Sequence, residues 1–142
     1  MNLYRLESSN DKINAQRNLE GRTHYVDDST LRFHKSRVIS THITDGGLLF
    51  SLVESVAMDM HNTQRGFRFV IFDVFGSVVS RCDIDDCHST SDKARKAMWE
   101  ALQSMDAKAI TLAAIDEQAK AHAREMECLR AKVIAIGEKA AA

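Results

Sequence analysis

The stretch "RFVIFDVFGSVVSR" at residues 68–81 decides how the middle of the chain folds. An apolar run leads into Asp73, and a second apolar run follows Phe-Gly-Ser. Asp73 can open a tight turn by accepting hydrogen bonds from nearby backbone amides, and Gly76 can supply the left-handed conformation that such a turn needs. The segment therefore predicts a β-hairpin in which Phe72 and Val78 continue two paired strands.

Alternation of apolar and polar residues extends this hairpin outward, from Thr23 to Arg81. The segment "FRFVIF" at 67–72 alternates, and "DGG" at 45–47 is a hairpin signal because glycine accepts a positive φ. Consecutive strands joined by short turns are typical of an antiparallel meander. We predict a sheet of about five strands, between residues 23 and 82.

Two helices are predicted after the sheet. Thr90 or Ser91 can cap the first, at about 91–105. One face of this helix is apolar and carries Ala94, Ala97, Met98, Ala101, Leu102 and Met105. The second helix, at about 107–136, is rich in strong helix formers, and Gly137 is its predicted stop. Together these elements predict one α+β domain at 21–142, preceded at 1–20 by either a short helix or a mobile arm.

The second helix carries an apolar seam that repeats every seven residues. Its members are spaced alternately by three and four positions: Leu112, Ile115, Ala119, His122, Met126, Leu129, Val133 and Ile136. An apolar stripe on a helix often packs only on its own sheet, but a 30-residue helix spans roughly 45 Å and a seven-residue strand only about 23 Å. The seam therefore predicts a homodimer formed through this coiled-coil-like helix, with His122 as the polar member that can set register.

Composition limits the function classes. The chain has 142 residues, of which 44% are hydrophobic and 27% charged, and its formal net charge is −1. A charge so near zero gives no global field for nucleic acid, which is therefore not favoured as a partner. Three cysteines favour reduced thiols over a disulfide framework. No apolar run has the length of a signal peptide core or a transmembrane helix, so we expect a cytoplasmic protein that does not contact membranes.

The segment "FVIFDVFGSVV" at 69–79 also resembles the first motif of the haloacid dehalogenase superfamily. The resemblance implies that Asp73 is a nucleophile, with Phe75 where phosphatases of that superfamily carry a second acid. It covers about eleven residues. Superfamily members place the motif on a parallel strand near the start of the chain, and later strands carry a lysine and metal-binding acids. Here the residues after Arg81 are predicted helical, so we expect no catalytic residues and favour the hairpin interpretation.

The segment "CDIDDCH" at 82–88 contains ligand types for a metal ion. Zinc sites commonly combine a close cysteine pair with a distant second pair, which this chain lacks, and calcium loops need a glycine and a later glutamate. We therefore predict a loop with an acidic approach to the first helix, no metal and no cofactor. The histidines His24, His34 and His42 fall in predicted strands and form no nucleophile signature.

These features favour a non-enzymatic protein-binding module. The overall make-up resembles the small accessory proteins of phages and prophages, including anti-defence inhibitors such as anti-CRISPRs. This resemblance implies a dimeric inhibitor or adaptor that occludes a surface of a host protein complex. Asp45, Arg65 and Arg68 are the candidate partner-binding residues, on the solvent-facing side of the sheet and its turns. Two alternatives stay open: a dimeric nucleic-acid-binding regulator, and a haloacid-dehalogenase-like hydrolase.

Overall fold

The computed structural model describes residues 20–26, 34–58, 63–82 and 86–141. An antiparallel sheet is followed by two helices, which confirms the predicted α+β class. The order of the strands in the sheet is β1-β2-β3-β4-β5. The elements are β1 (Thr23–Val26), β2 (His34–Ile43), β3 (Phe50–Met58), β4 (Thr63–Phe72), β5 (Val78–Arg81), α1 (Ser91–Gln103) and α2 (Ala107–Ala141). The predicted helix or arm at 1–20 lies outside the described residues, apart from Glu20.

Consecutive strands pair in a meander. Asp45–Gly47 forms a single 3-10 turn between β2 and β3, and Gly46 and Gly47 adopt φ values of 80° and 70°. These positive angles are the reason for the glycines in "DGG", since other residues reach them only with strain. In the paired strands Phe50 of β3 stands opposite Phe72 of β4.

Helix α1 covers one face of the sheet. The Thr90 hydroxyl accepts a hydrogen bond from the Lys93 amide at 3.2 Å and caps its first turn. The buried core between helix and sheet consists of Leu49, Val53, Phe69, Ile71, Ala94 and Met98. The remaining members of the predicted apolar face, Ala97, Ala101, Leu102 and Met105, pack partly buried against this core, so the predicted apolar face of α1 is confirmed.

The opposite face of the sheet is buried as well. A second core cluster contains Val38, Phe50, Leu52 and Val70, with Ile43 and Phe72 packed against it. Burial on both faces explains why β3 and the second half of β4 read as nearly continuous apolar runs. Polar residues in the middle of these strands therefore have little access to water, and each needs a partner inside the protein.

A buried ion pair occupies this second face. The Arg68 Nε donates to Glu54 Oε1, and the Ser36 hydroxyl donates to Glu54 Oε2. Glu54 is 2% exposed and Arg68 4% exposed. Because Glu54 stands directly opposite Arg68 and next to β2, the three side chains connect β2, β3 and β4 across the middle of the sheet.

Among the described residues, helix α2 packs on the rest of the protein near its start. Ala107 and Ile110 pack against the first core, and Thr111 is buried. From Ile115 to Lys139 every side chain except Ala121 is exposed. With 35 residues the helix is about 52 Å long at 1.5 Å per residue, so most of its length runs beyond the sheet.

The predicted stop of this helix at Gly137 is wrong, because α2 continues to Ala141. Gly137 is not among the glycines with positive φ. A glycine inside a helix costs about 1 kcal/mol relative to alanine. Flanking alanine, glutamate and lysine residues, all strong helix formers, offset that cost.

Replacement of Glu54 by leucine is expected to destabilise the protein by about 3–5 kcal/mol, because the Arg68 guanidinium would stay buried without its carboxylate. Urea unfolding of wild type and variant measures this loss. The matched double variant Glu54→Leu/Arg68→Met removes both charges and should recover most of the stability. A double variant no more stable than Glu54→Leu alone would show that the pair is not the cause.

Candidate functional site

The predicted hairpin at Asp73 is confirmed. The Asp73 Oδ1 accepts hydrogen bonds from the amides of Phe75 at 2.9 Å and Ser77 at 3.0 Å. Gly76 has φ 83°, and its amide donates to the Asp73 carbonyl at 3.1 Å. Phe72 pairs with Val78, as predicted. One carboxylate oxygen of Asp73 thus accepts two hydrogen bonds that shape the turn between β4 and β5.

The hairpin turn stands beside the first turns of α2, with a shallow cavity of about 300 Å³ between them. Asp73, Phe75 and Ser77 line one side, and Ile110, Ala113, Ala114, Glu117 and Gln118 line the other. Asp73 itself is 7% exposed. The strand before it is antiparallel to its neighbours, whereas the haloacid dehalogenase motif implies a parallel strand. The position of Asp73 therefore follows from the turn alone.

The loop "CDIDDCH" is described only at Cys82 and from Asp86 onward, so three of its seven residues lie outside the described chain. Cys82 accepts a hydrogen bond from the Phe69 amide at 3.3 Å. His88 exchanges backbone hydrogen bonds with Phe67 at 2.8 and 2.9 Å. Cys82 and His88, which follows Cys87, are therefore held beside β4 by hydrogen bonds to the strand.

Gly66 allows this close approach. A side chain there would place its Cβ 2.7 Å from the His88 carbonyl oxygen and 2.8 Å from the Cys87 Cβ. Among the described residues no group of three or more His, Cys, Asp or Glu side chains could hold a metal ion. Residues 83–85 lie outside the described part of the chain, so the absence of a metal ion in this loop stays a prediction.

Burial changes the chemistry of the two thiols in this loop. Desolvation raises the pKa of the Cys82 thiol, although hydrogen bonds from the backbone oppose the shift. Desolvation also raises the pKa of Cys87, and the neighbouring Cys82 raises it further. Cys128 on α2 is exposed instead. Since the thiolate is the reactive form, Cys82 and Cys87 should be poor nucleophiles at neutral pH.

The three candidate partner-binding residues do not form one surface. Arg68 is buried against Glu54, which corrects the prediction that it faces solvent. Arg65 is exposed near the start of β4, and Asp45 belongs to the turn before β3. Since β3 and β4 are antiparallel, Arg65 and Asp45 mark opposite ends of the sheet, roughly 20 Å apart along the strands. The side chain of Asp45 is outside the described part, so its role and that of Arg65 stay predictions.

A signal in the neighbouring strand could have identified Arg68 as a buried residue. Glu54 is the one charged residue in "LLFSLVESVAM" at 48–58. An acid isolated in an apolar run is usually paired when it is buried. A basic residue at the matching position of the next strand is its natural partner, and Arg68 occupies that position.

A half-exposed aromatic pair on the α1 side of the sheet was not predicted from the sequence. The rings of Trp99 and His42 lie 4.3 Å apart between centroids at 57°. Trp99 is 41% exposed. Arg95 next to it donates to Ser40 at 3.4 Å and to Asp92 at 3.0 Å. Tryptophan and arginine are enriched at the energetic centres of protein interfaces, so this cluster of His42, Arg95 and Trp99 is a second candidate contact surface.

The predicted seam of α2 faces away from the protein's own core. Its large apolar members are 45% to 68% exposed, namely Leu112, Ile115, Met126, Leu129, Val133 and Ile136. The side chains that pack on the domain belong to another stripe, which contains Ala107, Ile110 and Thr111. At 100° per residue the mean directions of the two stripes are separated by roughly 90° around the helix axis. The seam is therefore available for an external contact.

Asp73→Ala is expected to lower the free energy of unfolding by about 1–2 kcal/mol, because two turn amides lose their acceptor. Asp73→Asn keeps an oxygen at the same position and should stay within about 0.5 kcal/mol of wild type. Urea unfolding of the three proteins tests this. An equal loss in both variants would mean that the negative charge, rather than the turn geometry, is required.

Thiol titration with Ellman's reagent at pH 8 should show one fast and two slow thiols. The two slow thiols are Cys82 and Cys87, because burial and the raised pKa keep them protonated at this pH. Cys128→Ser should remove the fast phase and leave the slow phases unchanged. Two thiols reacting at the fast rate in wild type would contradict this assignment.

Comparisons with known protein families, with curated proteins and with solved structures found no match. No helix in the described part of the chain combines the length and the apolar character needed to cross a membrane.

Proposed function

We propose that this protein is a non-enzymatic, dimeric protein-binding module, which acts in the cytoplasm as an inhibitor or adaptor on a host protein complex. The observation that carries the proposal is the exposed apolar seam of α2. Six large aliphatic side chains with this exposure are unusual on a helix of a monomeric protein, and exposed apolar patches of this kind mark interaction sites. Nucleic acid and membranes are not proposed partners.

A second copy of the chain is the proposed occupant of the seam. The heptad spacing is the pattern by which helices wrap around each other, and a seam of this kind fits an equal seam. Burial of one aliphatic side chain of this size is worth about 1.5–3 kcal/mol. Several such side chains offset the cost of association, which is about 4–15 kcal/mol. Burial of the seam can therefore provide enough free energy for a coiled-coil-like dimer.

The two candidate reactive side chains, Asp73 and Cys82, have structural roles, which supports a binding function rather than catalysis. The Asp73 carboxylate accepts hydrogen bonds from two amides of the turn, and the Cys82 sulfur accepts one from the backbone of β4. For the host complex, two surfaces are proposed: the turn at Asp45 and the cluster of His42, Arg95 and Trp99. The anti-defence role, of the anti-CRISPR type, derives from the general resemblance to phage accessory proteins.

Affinity capture from a host lysate, followed by mass spectrometry, tests the host partner. Wild type and Trp99→Ala are used as baits, with Lys108→Ala as a control for an exposed substitution outside the aromatic cluster. The proposed partner should be retained by wild type and by the control and be depleted with Trp99→Ala. Equal capture by all three baits would exclude the aromatic cluster as the contact surface.

Leu129→Glu is expected to convert the dimer into a monomer. A charge buried against the partner helix without a counter-ion should cost several kcal/mol and raise the dissociation constant about a hundredfold or more. Light scattering at matched concentrations measures the mass, with 15.9 kDa as the monomer value. Circular dichroism should show that the sheet and α1 stay folded, since their core does not include Leu129.

Ala131→Glu is the matched control for this substitution. It introduces the same charge two residues further along α2, on an exposed position outside the seam. This variant should remain a dimer. A wild type with the mass of a monomer would overturn the dimer. A dimer that persists in Leu129→Glu would move the interface away from the seam, most plausibly to a sheet edge.

A further inference from the structure

We propose that two copies pair their α2 helices in antiparallel orientation, with Met126 of each chain packed against Leu129 of the other. This inference rests on the homodimer proposed above and adds its orientation and register. Three observations carry it: the length of α2 that is free of its own domain, the order of large and small side chains in the seam, and the charges beside the seam.

The free part of α2 sets the centre of the pairing. The domain contacts the helix at Ala107, Ile110 and Thr111, and the exposed part begins at Ile115 and continues to Lys139. The midpoint of that exposed part is near residue 127, between Met126 and Leu129. Antiparallel helices centred there overlap over almost the whole exposed part, and the two domains lie at opposite ends of the helix pair. Such an arrangement keeps the bulk of one domain away from the other.

The order of side chains in the seam favours this orientation. In a parallel, in-register pair each residue meets its own copy, so Ala119 would face alanine and His122 would face histidine in consecutive layers. Two small side chains leave a void, and two imidazoles replace apolar contact. In the antiparallel register Ala119 meets Ile136, His122 meets Val133, and Met126 meets Leu129. The small Ala119 and the polar His122 are then each opposite a large aliphatic side chain.

Charges beside the seam complement each other in the same register. Glu125 and Lys132 flank Leu129, and together with Ala121, Arg124 and Cys128 these residues line a depression of about 460 Å³ on the helix. In the antiparallel pair Glu125 of each copy stands beside Lys132 of the other, which gives two attractive contacts across the centre. Glu125 would also meet Arg130 in a parallel pair, so charge favours a second copy in either orientation. The packing of the seam selects the antiparallel one.

Distance measurement between spin labels tests the orientation. Glu138 is exposed and lies on the side of the helix opposite the seam, so a label at Glu138→Cys should leave the contact intact. Cys128→Ser removes the exposed native thiol, and the Cys128→Ser protein without the added cysteine controls for labelling of Cys82 and Cys87. In the antiparallel register the two labels are offset by roughly 32 Å along the axis, at 1.5 Å per residue. In a parallel pair they have no axial offset.

The outcomes separate this inference from the dimer itself. A distance well above 30 Å that vanishes on dilution with unlabelled protein supports the antiparallel pair. A distance of about 20–30 Å, as expected for labels at the same height on the outer faces of two neighbouring helices, overturns the orientation but leaves the dimer. The absence of any intermolecular distance at concentrations where light scattering reports a monomer overturns both.

Charge reversal provides a second test that does not use labels. Glu125→Lys and Lys132→Glu should each weaken the dimer roughly three- to tenfold, the scale of exposed ion pairs that are made twice. The double variant Glu125→Lys/Lys132→Glu should restore the wild-type dissociation constant. In a parallel pair Lys132 faces Gly137 instead, so Lys132→Glu alone would have little effect and the double variant would stay weakened. That result overturns the proposed register.

Discussion

The buried pair of Glu54 and Arg68 is the interaction on which the rest of the sheet depends. Two charges removed from water are costly unless they meet, and here they meet only when β3 and β4 are paired in one register. A shift of one residue between β3 and β4 would turn one of the two side chains to the other face of the sheet and leave each charge without its partner. Ser36 extends the same requirement to β2 through its hydrogen bond to Glu54.

That register determines where the functional candidates lie. With β3 and β4 in place, the hairpin at Asp73 and the turn at Asp45 come to the same end of the sheet, and α1 packs on the face that carries Phe69 and Ile71. The start of α2 then lies beside the hairpin. The exposed seam is therefore carried by a helix whose start is packed on the domain, although no seam residue belongs to either of the two core clusters.

Local signals in the sequence were sufficient for the turns, the meander and the face of α1, because each depends on residues close in the chain. Asp73 and Gly76, only three positions apart, predict the turn between them, and Thr90 predicts the start of a helix. Arg68 could not be assigned in this way, because its burial depends on Glu54 in another strand and on a cover over both faces of the sheet. Local sequence likewise could not show that Asp45 and Arg65 lie at opposite ends of the sheet, because their separation follows from the directions of the strands. Trp99 was missed because its neighbour His42 lies 57 positions away in sequence.

The unsupported length of α2 has a consequence for the order of the chain. The side chains from Ile115 to Lys139 are exposed apart from Ala121, and a helix gains most of its stability in a protein from tertiary packing, which little of this part has. Backbone amides there should exchange with solvent far faster than those of β3, since a local opening breaks no core. Association along the seam would protect them. In the proposed dimer, helix order and assembly are therefore coupled, and the concentration of the chain would influence how much of α2 is formed.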